Sequence, residues 1–245
     1  MTRFSNWFFA ILMIMILSER ALSSTSINLE LGQATSVYNK VKIDGEDGTL
    51  FNLAPALNST FYYRLSLIKK FNSPHGLRFL YAPLRFTGDN RYFKNINFNG
   101  VNFPAGKNTE AEYQFNSYRG TYFYELVSDK NFLLRLGGTL KIRDALIELK
   151  QDDRKKIKKN TGLVPLFYLY SQYKWDNDFL MTLDFDGLMA PQGRAFDVAL
   201  MGGYQFSPST SLHFGGRILD GGADNEKVYN FSQINYYFTA LQVDF

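Results

Sequence analysis

Hydrophobic and polar residues alternate along much of this chain. In FLMTLDFDGL the residues Phe179, Met181, Leu183 and Phe185 share one face of an extended segment, and Thr182, Asp184 and Asp186 share the other. RAFDVALMGGYQF repeats the scheme, with Phe196, Val198, Leu200, Tyr204 and Phe206 opposite Asp197, Ala199 and Gln205. In SLHFGGRIL, Leu212, Phe214 and Ile218 oppose His213 and Arg217. In LLRLGGTLKIR, Leu134, Leu136, Leu140 and Ile142 oppose Arg135, Thr139, Lys141 and Arg143. A period of two belongs to a β-strand with one face in an apolar medium and the other in a polar one. A soluble core does not accept so many polar positions on consecutive strands unless the second face is solvated. The lumen of a membrane barrel is such a place.

Stretches of this kind, with less regular ones between them, read as ten strands at about 26–39, 57–71, 76–88, 108–127, 131–150, 161–175, 178–189, 194–206, 209–220 and 228–245. FNSPHG, SDKN, WDND and SPST read as tight turns. KVKIDGEDGTLFNLAPA, TGDNRYFKNINFNGVNFPAGK and QDDRKKIKKN, which alternate with them, read as long loops. Short turns on one rim and long loops on the other predict an all-β fold: a transmembrane antiparallel up-and-down β-barrel of about ten strands. An even count places both termini on one side, the periplasmic one. The last strand, YYFTALQVDF, presents Tyr237, Leu241, Val243 and Phe245 outward and is expected to pair with the first, since a closed barrel leaves no edge.

With these four residues the chain resembles the small outer-membrane barrels of Gram-negative bacteria. LMAPQGRAFDVAL, LKIRDALIEL and GGADNEKVYNF look like stretches of an uncharacterised family of such barrels. The resemblance implies recognition of the last strand by the barrel-assembly machinery and a surround of outer-membrane lipid and lipopolysaccharide. It specifies no activity.

Composition agrees with strands that face lipid on one side. Aromatic residues make up 17% of the 245-residue chain while hydrophobic ones reach only 45%, as expected when aromatic girdles flank a polar lumen. Nothing after Leu17 is apolar for the roughly 20 residues that a membrane helix needs. The start, MTRFSNWFFAILMIMILSERALSS, carries an early Arg3, a short apolar run from Trp7 to Leu17 and small residues near Ser23. It reads as a secretory signal peptide over 1–23, cleaved to leave a barrel domain over 24–245. Its loss lowers the formal net charge of +4 by one. The absence of cysteine excludes a disulfide framework and a lipid-modified N-terminal cysteine.

Candidate chemistry lies in the lumen and at the rim. His75 falls in a tight turn and His213 begins a strand near the same rim. Barrel proteases and barrel lipid A deacylases keep their histidines toward the outer side, so both residues read as ordinary turn or lumen positions. No cysteine and no histidine cluster means that no metal or cofactor is expected. Asp184 and Asp186 point into the lumen roughly 7 Å apart, with Asp197 on the next strand. They are either an acid/base or cation site or the acidic half of a lumen charge network. The same alternation supplies its cations: Arg64, Arg78, Arg119, Arg135, Lys141, Arg143 and Arg217. A barrel this narrow is largely filled by side chains, and buried charges must be paired. At the rim, DDRKKIKKN gathers Arg154, Lys155, Lys156, Lys158 and Lys159, and Arg194 lies close by. Such a cluster attracts the phosphates of lipopolysaccharide, or else it is a solvated loop tip. No nucleic-acid module is present. The function expected is that of a monomeric, non-enzymatic surface or structural protein whose outer loops bind lipopolysaccharide or an external ligand. The alternatives are a lipid- or peptide-modifying enzyme using the lumen carboxylates, and a narrow channel.

Overall fold

The computed structural model describes residues 24–45, 47–225 and 228–245. The expected signal peptide lies outside them. The described residues form β1 (Thr25–Ile43), β2 (Phe51–Asn52), β3 (Thr60–Lys70), β4 (His75–Ala82), β5 (Arg85–Arg91), β6 (Ile96–Phe98) and β7 (Val101–Phe103). Then follow β8 (Asn108–Ser128), β9 (Phe132–Gln151), β10 (Arg154–Lys174), β11 (Phe179–Ala190), β12 (Gly193–Ser207), β13 (Thr210–Asn225) and β14 (Val228–Asp244). Each wall strand pairs antiparallel with its sequence neighbours, and β14 returns to β1 to close the barrel. β4 and β5 form one stave interrupted at Pro83, which has no N–H to give to a ladder. Ten staves result, as the alternation predicts.

Closure runs from Ser26 opposite Asp244 to Ile43 opposite Val228, with a bulge between Ser36 and Tyr38. Phe245 continues the seam, its N–H donating to the Thr25 carbonyl at 2.8 Å. The two strands meet closely: a Cβ on Gly32 would lie 2.0 Å from the Tyr237 carbonyl oxygen.

The outward positions are apolar and open. Leu31, Leu140, Leu200, Phe214, Ile218 and Leu241 all stand exposed on the wall. Toward the tight-turn rim Phe71, Tyr124, Tyr173, Trp175, Phe179 and Phe206 form an aromatic girdle. In water such a belt would drive aggregation. Around a closed barrel, whose backbone groups are paired within the wall, it is the surface that hydrocarbon requires. The belt ends where polar residues turn outward. One such group is Arg194, Asp220 and Tyr38, and another is Gln114, Asn116 and Asp144.

One expected loop is absent. QDDRKKIKKN is a hairpin: β9 and β10 pair up to Gln151 opposite Arg154, and only Asp152 and Asp153 turn the chain. Asp152 takes φ 51°, a left-handed conformation that aspartate tolerates. β8, β9 and β10 are 21, 20 and 21 residues long, about twice what a membrane crossing needs. Their upper halves therefore project beyond the belt.

The other two long connections are not open loops either. The 44–59 segment carries β2 and a 3-10 turn at Ala54–Ala56, and the 92–107 segment carries the β6–β7 hairpin. Asn99 and Gly100 both take positive φ between these strands, which suits the tight turn of a two-residue hairpin. Phe51, Leu53, Ile96, Phe98 and Phe103 are buried against wall residues such as Val41, Phe86, Tyr113 and Leu149. The inserts thus form an apolar core in the half of the barrel away from the tight turns. A backbone bond fastens them together, Thr49 N–H to the Asn97 carbonyl at 2.9 Å, and another ties the hairpin to the end of β1, Asn99 N–H to the Ile43 carbonyl at 2.9 Å.

Candidate functional site

Inward positions of the lower wall bring four arginines and four carboxylates into one layer. Glu30 comes from β1, Arg64 from β3, Arg78 from β4, Arg119 from β8, Asp184 and Asp186 from β11, Asp197 from β12 and Arg217 from β13. Arg119 lies at the centre and bridges Asp186 at 2.7 Å and Asp197 at 2.5 Å. Asp197 also receives Arg217 at 2.5 Å and Arg64 at 3.2 Å. Arg78 joins Asp184 at 2.9 Å and Asp186 at 2.6 Å, and Arg217 reaches Glu30 at 2.9 Å. Neutral donors complete the shells: Thr139 gives its hydroxyl to Asp186 at 2.6 Å, and Tyr62 gives its own to Glu30 at 2.6 Å. Charges and partners balance, which is the condition for burying ions at all.

Three residues expected in this network lie elsewhere. Arg135 belongs to a smaller group nearer the tight-turn rim, where it meets Glu125 at 2.8 Å and Lys70 meets the same carboxylate at 2.7 Å. Lys141 and Arg143 sit higher on β9. Lys141 is buried, with its ammonium 4.8 Å from the Phe115 ring, and forms no ion pair among the described residues. Arg143 hydrogen-bonds Asn160, and its Nε is buried without an acceptor. Alternation shows that a side chain faces inward but not at what height, and height decides the partner. Glu30 was not singled out from the sequence, although an acid between the outward Leu29 and Leu31 is a readable signal.

Both histidines lie near the tight-turn rim, and His75 falls in the strand that follows the turn and not within the turn. His75 opens β4 and stacks on Tyr122. His213 is buried, and its Nε2 lies 2.9 Å from the Ser211 hydroxyl. A Cβ at Gly203 would fall 2.6 Å from His213 Nδ1, so the glycine makes room for the ring.

The basic cluster is divided by the strand it forms. Arg154, Lys156 and Lys158 share the lumen side of β10 with Leu166 and Tyr168, while Lys155 and Lys159 face out. Lys155 is held by Glu148 at 2.6 Å, and Arg154 donates to the Asn102 carbonyl at 2.9 Å. Lys156, Lys158 and Lys159 form no ion pair among the described residues. Arg194 is not part of this group: it meets Asp220 at 2.5 Å and Tyr38 at 3.1 Å on the outer wall. The 92–107 insert adds Tyr92, edge-on to Phe51 at 5.7 Å. Burial pushes its phenol above the ordinary value, so it stays neutral.

Above the polar layer the inserts fill only the side of the barrel from which they hang. The side formed by β10 to β13 retains a cavity of about 410 Å³, with Lys141, Asp186 and Asp197 at its floor and Leu163–Leu166, Leu188, Phe196 and Leu219 around it. No group of His, Cys, Asp and Glu side chains suited to a metal ion occurs among the described residues.

The chain matches no protein-family profile and no curated protein sequence. Among solved structures it is similar to Ail of Yersinia pestis in complex with the heparin analogue sucrose octasulfate. The identity is 9% over 90% of this chain and 99% of that one, with a TM-score of 0.41. It is similar to Neisserial surface protein A at 13% identity over 92% and 100% of the two chains, TM-score 0.39. It is similar also to the outer membrane protease OmpT of Escherichia coli at 13% identity over 93% and 99%, TM-score 0.47. These values transfer no residue's role.

Proposed function

We propose that this chain is a monomeric integral outer-membrane protein with both termini periplasmic, acting as a surface-binding scaffold and not as a pore. The observation that carries this reading is the filling of the lumen by side chains at two heights. The balanced layer around Arg119 and Asp197 fills the lower barrel, and the apolar core of the two inserts fills much of the upper one. A pore needs a continuous wet path, and the ionic layer of the lower barrel interrupts it. Closure of β14 on β1 uses up every wall edge of the lower barrel, which favours a monomer.

The acids that an enzyme would use support the same reading. Asp184, Asp186 and Asp197 are each held by arginines at 2.9 Å or less, so none is free to exchange a proton with a substrate. The end away from the tight turns has what a scaffold for polyanions needs: a projecting hairpin with ammonium groups at Lys156, Lys158 and Lys159 that form no ion pair among the described residues. Lipopolysaccharide phosphates are the anions nearest to it.

The test is single-channel recording of the purified, folded protein in planar bilayers containing lipopolysaccharide. Silence is expected. Large, steady conductance would replace the scaffold reading with a channel.

A further inference from the structure

The wall is unzipped between the upper parts of β10 and β11. β10 and β11 pair from Lys174 opposite Leu180 up to Phe167 opposite Gly187, and there the ladder stops. β10 continues to Arg154 paired only with β9, and β11 continues to Ala190 paired only with β12. Pro165 lies just above the parting point and offers no N–H, as suits a strand edge. The 410 Å³ cavity reaches this seam. Its lining takes in both lips, Gly162 to Leu166 on one side and Leu188 and Ala190 on the other. Leu163 and Pro165 point outward, so the cavity passes through the wall toward the lipid.

Its chemistry is two-ended. The lips are apolar, the upper lining is polar with Gln192, Asn230 and the Arg194–Asp220 pair, and the inner end holds Lys141. The carboxylates nearest to that ammonium, Asp186 and Asp197, are already bound to arginines at 2.5 to 2.7 Å. Arg143 lies beside it on β9, with Nε buried and unsatisfied. Lys158 and Lys156 continue the inward row of cations to the hairpin tip. A buried cation without a counter-ion is costly, and an anionic ligand supplies what is missing.

We propose that the seam and cavity form a lateral binding site for a single-chain amphiphile from the surrounding lipid. Its anionic head, a carboxylate or a phosphate, sits at Lys141 and Arg143, and its acyl chain lies between Leu163–Leu166 and Leu188. The volume is at the small end of the roughly 300–1,000 Å³ usual for ligand sites, which favours one chain over a lipid with several. The row of lysines favours an anion over a neutral or cationic head. This site goes beyond the scaffold reading, since it faces the bilayer and not the outer medium.

The experiment uses the full protein in a neutral detergent, titrated with palmitate, hexadecyl phosphate and hexadecanol and read by native mass spectrometry. The anionic probes are expected to bind at least about tenfold more tightly than the alcohol, the scale of one charge-assisted hydrogen bond. Whichever of the two binds more tightly identifies the head group. Lys141→Met and Arg143→Gln, each checked for heat-modifiable migration as a folded barrel, should each remove most of that preference. Ala190→Trp, which narrows one lip, should slow uptake from lipid vesicles. Equal binding of all three probes, or an unchanged preference in both charge variants, would overturn the proposal. Conductance plays no part in this readout, so its result stands apart from that of the pore test.

Discussion

Arg119 and Asp197 meet at 2.5 Å in the middle of the lumen, and the Arg119 side chain is wholly enclosed. Asp197 is also the shared partner of Arg64 and Arg217. Asp197→Asn keeps the shape and removes the charge, leaving three guanidinium groups around a neutral amide. Breaking a buried pair by removing one partner costs about 3–5 kcal/mol. The variant should unfold at distinctly lower temperature or denaturant in micelles. An unchanged midpoint would mean that water reaches this layer and screens it.

The ionic layer closes the lower barrel and the insert core narrows the upper one, so removing one should not open a wide path. Arg119→Ala alone leaves the insert core over the mouth, and replacing 92–107 by a short turn leaves the ionic layer below it. Each is expected to remain silent in a planar bilayer, and the combination to conduct. Conductance from the arginine variant alone would show that the cavity beside the inserts is a wet path.

Much of this wall could be read from the sequence, and the reason is physical. Below the outward charges of Arg194 and Asp144 each strand separates hydrocarbon from a polar lumen, so Phe179, Met181 and Leu183 must alternate with Thr182 and Asp184. Above that line both faces of β9 and β10 are wet or meet the inserts. No apolar medium imposes a period there, and KKIKKN reads as a loop although it is strand. The burial of Phe51, Phe98 and Phe103 was illegible for another reason. It depends on two segments that meet only after the barrel has closed. The cavity follows from that packing, and Lys141 could be assigned to it only once its height on β9 was known.

Gly32 tests the closing seam. A methyl group there would meet the Tyr237 carbonyl at 2.0 Å and Phe238 Cα at 2.8 Å, both backbone atoms that cannot turn aside. Gly32→Ala should force β1 and β14 apart locally and cost about 1–3 kcal/mol, the usual range for overpacking. The loss should appear as earlier conversion from the folded to the unfolded band on heating. Gly138→Ala, where nothing lies within 4 Å of the added atom, is the matched control and should change little.

The cations of the hairpin are not equivalent. Lys155 already has Glu148, and Arg154 an Asn102 carbonyl. Changing Lys156, Lys158 and Lys159 together to glutamine should therefore weaken lipopolysaccharide binding more than changing Arg154 and Lys155. The difference should shrink as salt rises toward 1 M, where screening shortens to roughly 3 Å. Equal effects of the two sets would mean that net charge, not the unpaired groups, governs attraction.

Phe245 and Tyr236 separate assembly from stability. The Phe245 ring is 70% exposed on the outer wall, and only its backbone joins Thr25. Tyr236 faces inward, is 4% exposed and packs edge-on to Tyr62 at 4.7 Å. Tyr236→Ala removes a buried ring and should cost about 3–5 kcal/mol once the barrel is folded. Phe245→Ala removes no interior contact and should shift stability by no more than about 0.5 kcal/mol. If the outward row of Tyr237, Leu241, Val243 and Phe245 is what the barrel-assembly machinery reads, the same variant should slow the appearance of folded protein in the membrane. Pulse-chase labelling with heat-modifiable migration measures the rate, and thermal denaturation of the purified barrel measures the stability. Normal assembly of Phe245→Ala would leave that ring with no role beyond its contact with lipid.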